Sequence, residues 1–214
     1  TTTALDMYLH PEENHRGAVE VGLRHVTGPV FFSFPGPDNL SWEQRLELAR
    51  QWPQTLEDLG GPFVPLALTP HAPLTVKPEH LREITELAIE QGAMITVHAS
   101  ENISENEDTV AAHGDRPTHL LDTTGILDLK PVLAHGVHLD ESERHLIASK
   151  GACVAHCPGS NLKLASGAAD FVQYRADGIT VGLGSDGSST SNDLDMFAVM
   201  RLAANLARLV RNDP

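Results

Sequence analysis

LREITELAIEQGAMITVHASEN, residues 81–102, holds the pattern from which the rest of the chain is read. Its first half places Leu81, Ile84, Leu87 and Ala88 on one helical face with charges opposite, and Gly92 follows as a stop signal. Pro78 stands just upstream, suited to a first helical turn. The second half, MITVHA at 94–99, is a nearly continuous apolar run, the pattern of a strand buried on both faces of a parallel sheet. Outward from this unit the alternation repeats. Further strands are predicted at Thr2–Tyr8, Pro29–Phe34, Phe63–Thr69, Pro131–His135, Cys153–Ala155 and Thr180–Gly184. Helices are predicted at Trp42–Leu59, with a break or kink at Pro53, at Ser142–Lys150 before Gly151, and at Leu194–Leu209 behind Asp193 and Asp195. Alternating βα units imply a parallel sheet with right-handed crossovers, and both an open doubly wound sheet and a closed barrel satisfy the pattern.

The 214 residues carry 15 Lys+Arg against 29 Asp+Glu, a net charge of −14. Such a chain repels phosphate backbones and anionic headgroups, which argues against nucleic acid and membrane surfaces as partners. No apolar run reaches the roughly 18 residues of a membrane span, and no secretory leader pattern is present. Two cysteines are too few for a disulfide framework. A cytoplasmic protein with one domain over residues 1–214 is expected.

The 12 histidines carry the functional signal through their positions. His71 follows one predicted strand, His98 and His135 lie at the ends of two others, and Asp186 follows a fourth. In a parallel barrel those ends share one mouth, where active sites are built. Three imidazoles and a carboxylate there suit Zn²⁺ or Fe²⁺, and Glu101, three residues beyond His98, is placed to act as a general base. The histidines at 10, 15, 25, 80, 113, 119 and 145 are expected to be solvated. Cys153, His156 and Cys157 read as core and loop packing, because no second ligand pair completes a zinc half-site. Gly182 and Gly184 fall short of a dinucleotide fingerprint.

At these residues the sequence resembles the amidohydrolase superfamily, in the branch of methylthioadenosine/S-adenosylhomocysteine deaminases, guanine and cytosine deaminases and triazine chlorohydrolases. The resemblance rests on TPHAPLTV (69–76), ITVHASEN (95–102), LAHGVHLDESE (133–143), AHCPGSNLKLASG (155–167) and VGLGSDGSSTSNDLDMFAVMRLA (181–203), with TTTALDMY at the start. It implies a (β/α)₈ TIM-type barrel with one divalent metal, Zn²⁺ or Fe²⁺. His98 and Asp186 are implied as metal ligands, Glu101 as proton shuttle, and His135 as a contact to the hydrolytic water or substrate, ahead of His138. His71, Thr190 and Glu12 or Glu13 are implied in substrate binding. The implied reaction deaminates a purine nucleoside or related heterocycle, with hydroxide attacking the amino-bearing ring carbon.

The family's His-x-His pair at its first strand occurs nowhere in this sequence. The expectation is therefore an incomplete barrel, with strands 2 to 8 present and the first strand and flanking β-sandwich absent. Exposed strand edges then predict a homo-oligomer. Triazine dechlorination, or an inactive fragment serving as a scaffold or oligomerising domain, are the alternatives.

Overall fold

Strands pair only in parallel, and along the main sheet in the order in which the chain makes them. The computed structural model describes residues 1–212. Its strands are β1 (Thr3–Leu5), β2 (Arg24–Val26), β3 (Val30–Phe31), β4 (Ala67–Pro70), β5 (Met94–Ala99), β6 (Val132–His135), β7 (Cys153–His156) and β8 (Thr180–Leu183). Its helices are α1 (Pro11–Glu20), α2 (Trp42–Leu59), α3 (Pro78–Gln91), α4 (Ile103–His113), α5 (Pro117–Thr123), α6 (Glu141–Lys150), α7 (Pro158–Lys163), α8 (Phe171–Ala176), α9 (Ser188–Ser191) and α10 (Met196–Arg211), with a 3₁₀ turn at Ile126–Leu129. β1 pairs with β2, and β3 to β8 form one sheet in sequence order.

β2 was not expected, being short and polar, and it is separated from β3 only by Thr27, Gly28 and Pro29. Proline has no N–H to give a ladder, so pairing stops there. The carbonyls of the interruption find side-chain donors instead. Trp52 Nε1 donates to Thr27 O at 2.9 Å, and Thr69 Oγ1 donates to Pro29 O at 2.9 Å. Gly28 is needed at this crossing, because a Cβ there would lie 1.8 Å from the Ala67 carbonyl oxygen.

The core is the apolar strand runs packed under helix faces. Leu68, Ile95, Val97 and Leu133 meet Leu81, Ile84, Leu121 and Ile147, all with no exposed surface. The α3 stripe is the one its periodicity predicts, and Gly92 closes the helix in the left-handed region (φ 63°).

Five expectations are corrected. Pro53 neither ends nor divides α2. It removes the bond that Ala49 O would have accepted, and Gln91 Nε2 fills that acceptor at 2.8 Å. The Thr2–Tyr8 run is strand only at Thr3–Leu5, and the Phe63–Thr69 strand begins at Ala67. The last helix starts at Met196, with Asp195 as its N-cap accepting from Phe197 N. His15 and His25 are buried rather than solvated, with His25 Nε2 3.2 Å from Asp6 Oδ2 and His15 Nε2 3.2 Å from Gly60 O. Among the described residues no helix is long and apolar enough to cross a membrane.

Candidate active site

The pairing of β5 with β6 sets His98 beside Ala134 and Ala99 beside His135. Regular pleating would put the two imidazoles on opposite faces. The left-handed backbone of His135 at the strand end breaks that alternation and lets its ring meet His98. The rings of His71 and His98 lie 4.9 Å apart, and those of His98 and His135 stack at 5.4 Å. Glu101 Oε2 stands 3.8 Å from His135 Nε2. Three non-glycine residues here adopt the left-handed backbone region: Ser100 (φ 53°), His135 (φ 72°) and Asp186 (φ 58°). Each follows or closes a strand, and such strain is held in place only where surrounding contacts over-determine it.

His98 Nδ1 lies 2.7 Å from His71 O. A carbonyl only accepts, so Nδ1 carries the proton and Nε2 keeps its lone pair, the arrangement that orients a ligating imidazole. Burial, with the neighbouring His135, holds the His98 ring neutral by lowering its pKa. Burial works to raise the Asp186 carboxyl, but the neighbouring Ser160 hydroxyl, the Gly187 N–H at 2.6 Å, the His135 charge and Thr190 outweigh it and hold it below its ordinary value. A neutral imidazole and an ionised carboxylate are donors suited to Zn²⁺.

These two do not make a complete cage. Among the described residues no three His, Cys, Asp or Glu side chains form a metal-holding group. His71 gives His98 its carbonyl, while its own Nδ1 lies 2.9 Å from Thr75 Oγ1. Burial, and then His98, push the His71 pKa down to about 4. His135 Nδ1 is engaged with Asn161 Oδ1 at 2.8 Å.

The remaining candidates divide. Thr190 lies half-buried in α9 beside Asp186. His138 is turned to Ser166 O at 2.6 Å. Glu12 and Glu13 occupy the first turn of α1, and no hydrogen bond or ion pair among the described residues joins them to the histidines. A cavity of about 240 Å³ lined by His71, Thr75, His98, Glu101 and Asp108 opens beside a second of about 570 Å³ lined by Glu101, Leu164 and Ser166. Glu101 faces both.

Sequence reasoning passed over Asn161 and Glu105, and it read His156 as core packing, where the structure places it. His156 ends β7 and satisfies the same strand-end rule that singled out His98 and His135. It has no exposed surface, and among the described residues neither ring nitrogen has a hydrogen-bond partner. Cys157 beside it is a buried thiol pushed up to about 12, chiefly by burial and then by the charge of Asp186. It is no nucleophile near neutral pH.

The chain as a whole has counterparts among known proteins. The chain is 38% identical over 214 residues to a 5-methylthioadenosine/S-adenosylhomocysteine deaminase of Moorella thermoacetica, covering 100% of this chain and 49% of that protein. The crystal structure of an adenosine deaminase from Xanthomonas campestris with bound zinc superimposes with a TM-score of 0.89 at 34% identity, covering 100% of this chain and 48% of that one. Guanine deaminase of C. acetobutylicum, at 23% identity and a TM-score of 0.90, shares the fold, with 100% of this chain and 52% of that one covered. The chain spans about half the length of the curated relatives it matches. The model of the amidohydrolase family matches residues 1–214, and the chain belongs to that family, with its TIM-barrel type of α/β fold.

Proposed function

We propose that this chain, as a single domain over residues 1–214, takes part in the metal-dependent hydrolytic deamination of a purine nucleoside or related nitrogen heterocycle. The observation that carries the reading is His98, with Nδ1 anchored on a backbone carbonyl and Glu101, His135 and Asp186 gathered around it. The deaminase names of the relatives support it. His98 and Asp186 are the residues that would hold a Zn²⁺ or Fe²⁺ ion. Bound there, such an ion supplies acidification of a water at neutral pH.

The chain's own residues do the rest. Asp186, held ionised, accepts a hydrogen bond from the attacking water and orients it. Glu101 takes the water's proton and delivers it to the ring nitrogen next to the carbon under attack, so that the ring does not accumulate negative charge. His135, 3.8 Å from Glu101, contacts the same water. As the ring carbonyl forms, the proton lost by the added hydroxyl passes by way of His135 to the amino group, which leaves as ammonia. His71, kept neutral, and Thr190 line the substrate side, and Glu12 or Glu13 meets a ribose. The proton handling by Glu101 favours deamination over triazine dechlorination. The partner is a small heterocycle in the cytoplasm, and the free edges of β1 and β8 favour a homo-oligomer.

A scaffold without turnover is the second reading, favoured because among the described residues no three His, Cys, Asp or Glu side chains are grouped so as to hold a metal. Ammonia release from adenosine, 5′-methylthioadenosine and guanine, together with zinc content by mass spectrometry, separates the two. The deaminase reading expects ammonia, bound zinc lost in His98→Ala, and turnover reduced at least about 100-fold in Glu101→Gln. Unchanged turnover in Glu101→Gln refutes the assigned proton path, and neither zinc nor ammonia leaves the scaffold. Chloride release from a chlorotriazine without ammonia release transfers the reading to dechlorination. Light scattering showing only monomer removes the oligomer.

A further inference from the structure

Glu105 is the third residue of α4, where a glutamate ordinarily lies exposed and reaches back to the backbone N–H of its N-cap. Here it reaches further. The N-cap is Asn102, whose Oδ1 accepts from Glu105 N at 2.8 Å. The Glu105 carboxylate instead accepts from Glu101 N at 2.7 Å through Oε2 and from Ser100 N at 3.2 Å through Oε1. These are the two residues before the cap, and they form the turn that leaves β5. Ser100 has no exposed surface and sits at φ 53°, a conformation costly for a side-chain-bearing residue. Glu105 is itself 7% exposed, and no ion pair to it exists among the described residues. A carboxylate buried without a cation is stable only where N–H groups satisfy it. The two backbone donors of the turn supply those bonds and offset part of the burial, which still raises the Glu105 carboxyl above its ordinary value, and in return the donors are fixed.

The consequence falls on Glu101. Its backbone N–H is the shorter of the two bonds, and its side chain emerges from the same residue to lie 3.8 Å from His135 Nε2, with Ser166 Oγ 3.4 Å from Oε1. His138 N donates to Ser100 O at 3.0 Å, tying the other side of the turn to the segment after β6. We propose that Glu105 is a positioning residue: its buried carboxylate clamps the Ser100–Glu101 turn in its left-handed form and thereby aims the Glu101 carboxyl at His135. The task assigned to Glu101 rests on the deamination reading, while the clamp does not.

The test uses the intact chain. Through-hydrogen-bond couplings from the Ser100 and Glu101 amide nitrogens to the Glu105 carboxyl carbon are expected in the unaltered protein, and their absence overturns the clamp without any variant. In Glu105→Gln one carboxylate oxygen becomes an NH₂ that opposes a backbone N–H. Exchange of the Ser100 and Glu101 amides is then expected to quicken on the order of tenfold or more, beyond any change in the core amides of β5. Equal changes in both sets mean a merely structural role and overturn the proposal, as does no change. Where the unaltered protein releases ammonia, Glu105→Gln is expected to lower kcat with KM nearly constant, because Glu101 acts in the chemical step. A rise in KM alone counts against it. No ammonia from the unaltered protein overturns the deamination reading and leaves the couplings and exchange rates to decide the clamp.

Discussion

Acidifying the protein tests whether His156 is the fully enclosed imidazole that the fold makes of it. It has no exposed surface, its ring centroid lies 5.2 Å from that of Phe171, and among the described residues neither nitrogen has a partner. Burial, and then repulsion from His135, push its pKa from 6.5 down to about 4. Between those values the unfolded chain binds a proton at this position and the folded chain does not. Stability therefore rises with pH through this window and is lost as pH falls from about 6.5 toward 4. At about 1.4 kcal/mol for each tenfold change in proton affinity, the ceiling for this one group is about 3 kcal/mol. Urea unfolding followed by tryptophan fluorescence, at steps from pH 7 to 4 in chelator, measures it. His156→Gln removes the imidazole, so its unfolding free energy is expected to vary less steeply with pH, by up to one proton. Chelator keeps metal binding from adding its own pH dependence. His71, also lowered to about 4, contributes equally to both proteins and drops out of the difference. Parallel pH curves for the two proteins would refute the reasoning, because they would mean that His156 titrates alike folded and unfolded.

Asp38→Ala is expected to cost about 3–5 kcal/mol in denaturant unfolding, because it strands the Arg45 guanidinium, 1% exposed and otherwise held by Val30 O at 3.0 Å. Gly28→Ala drives a methyl into the Ala67 carbonyl and is expected to cost more than about 4 kcal/mol, read as loss of soluble folded protein by circular dichroism. Alkylation at pH 8 followed by mass spectrometry is expected to leave Cys157 unmodified in the folded protein and to label both thiols in urea. Rapid labelling of Cys157 in the folded protein would contradict its burial.

Periodicity located the long elements because their patterns are strong. α3 shows one clean apolar stripe, and β5 and β6 are apolar runs bounded by turns. It missed β2, α5, α7, α8 and α9, which are too short for a stripe to repeat, and also α1 and α4, whose buried faces include His15 or consist of Glu105, Asn106 and Thr109 in place of an apolar stripe. It also misjudged Pro53. Local chemistry says that a proline frees the carbonyl four residues back, but not that Gln91 on another helix will occupy it. The same division runs through the candidate site. His98, His135 and Asp186 were legible as strand-end polar residues, whereas Asn161 and Glu105 are visible only through the atoms they touch.

What the sequence by itself determined was the alternation of strands and helices, the parallel sheet, and which residues stand at strand ends, because each depends on neighbours a few positions away. Tertiary structure alone decided which nitrogen of His98 keeps its lone pair, that His15 and His25 are buried, and that Glu105 turns inward to the Ser100–Glu101 turn. Those outcomes depend on partners 5 to 45 residues away or on neighbouring strands, and a proton, a desolvation penalty or a hydrogen bond is settled by distance in space rather than along the chain.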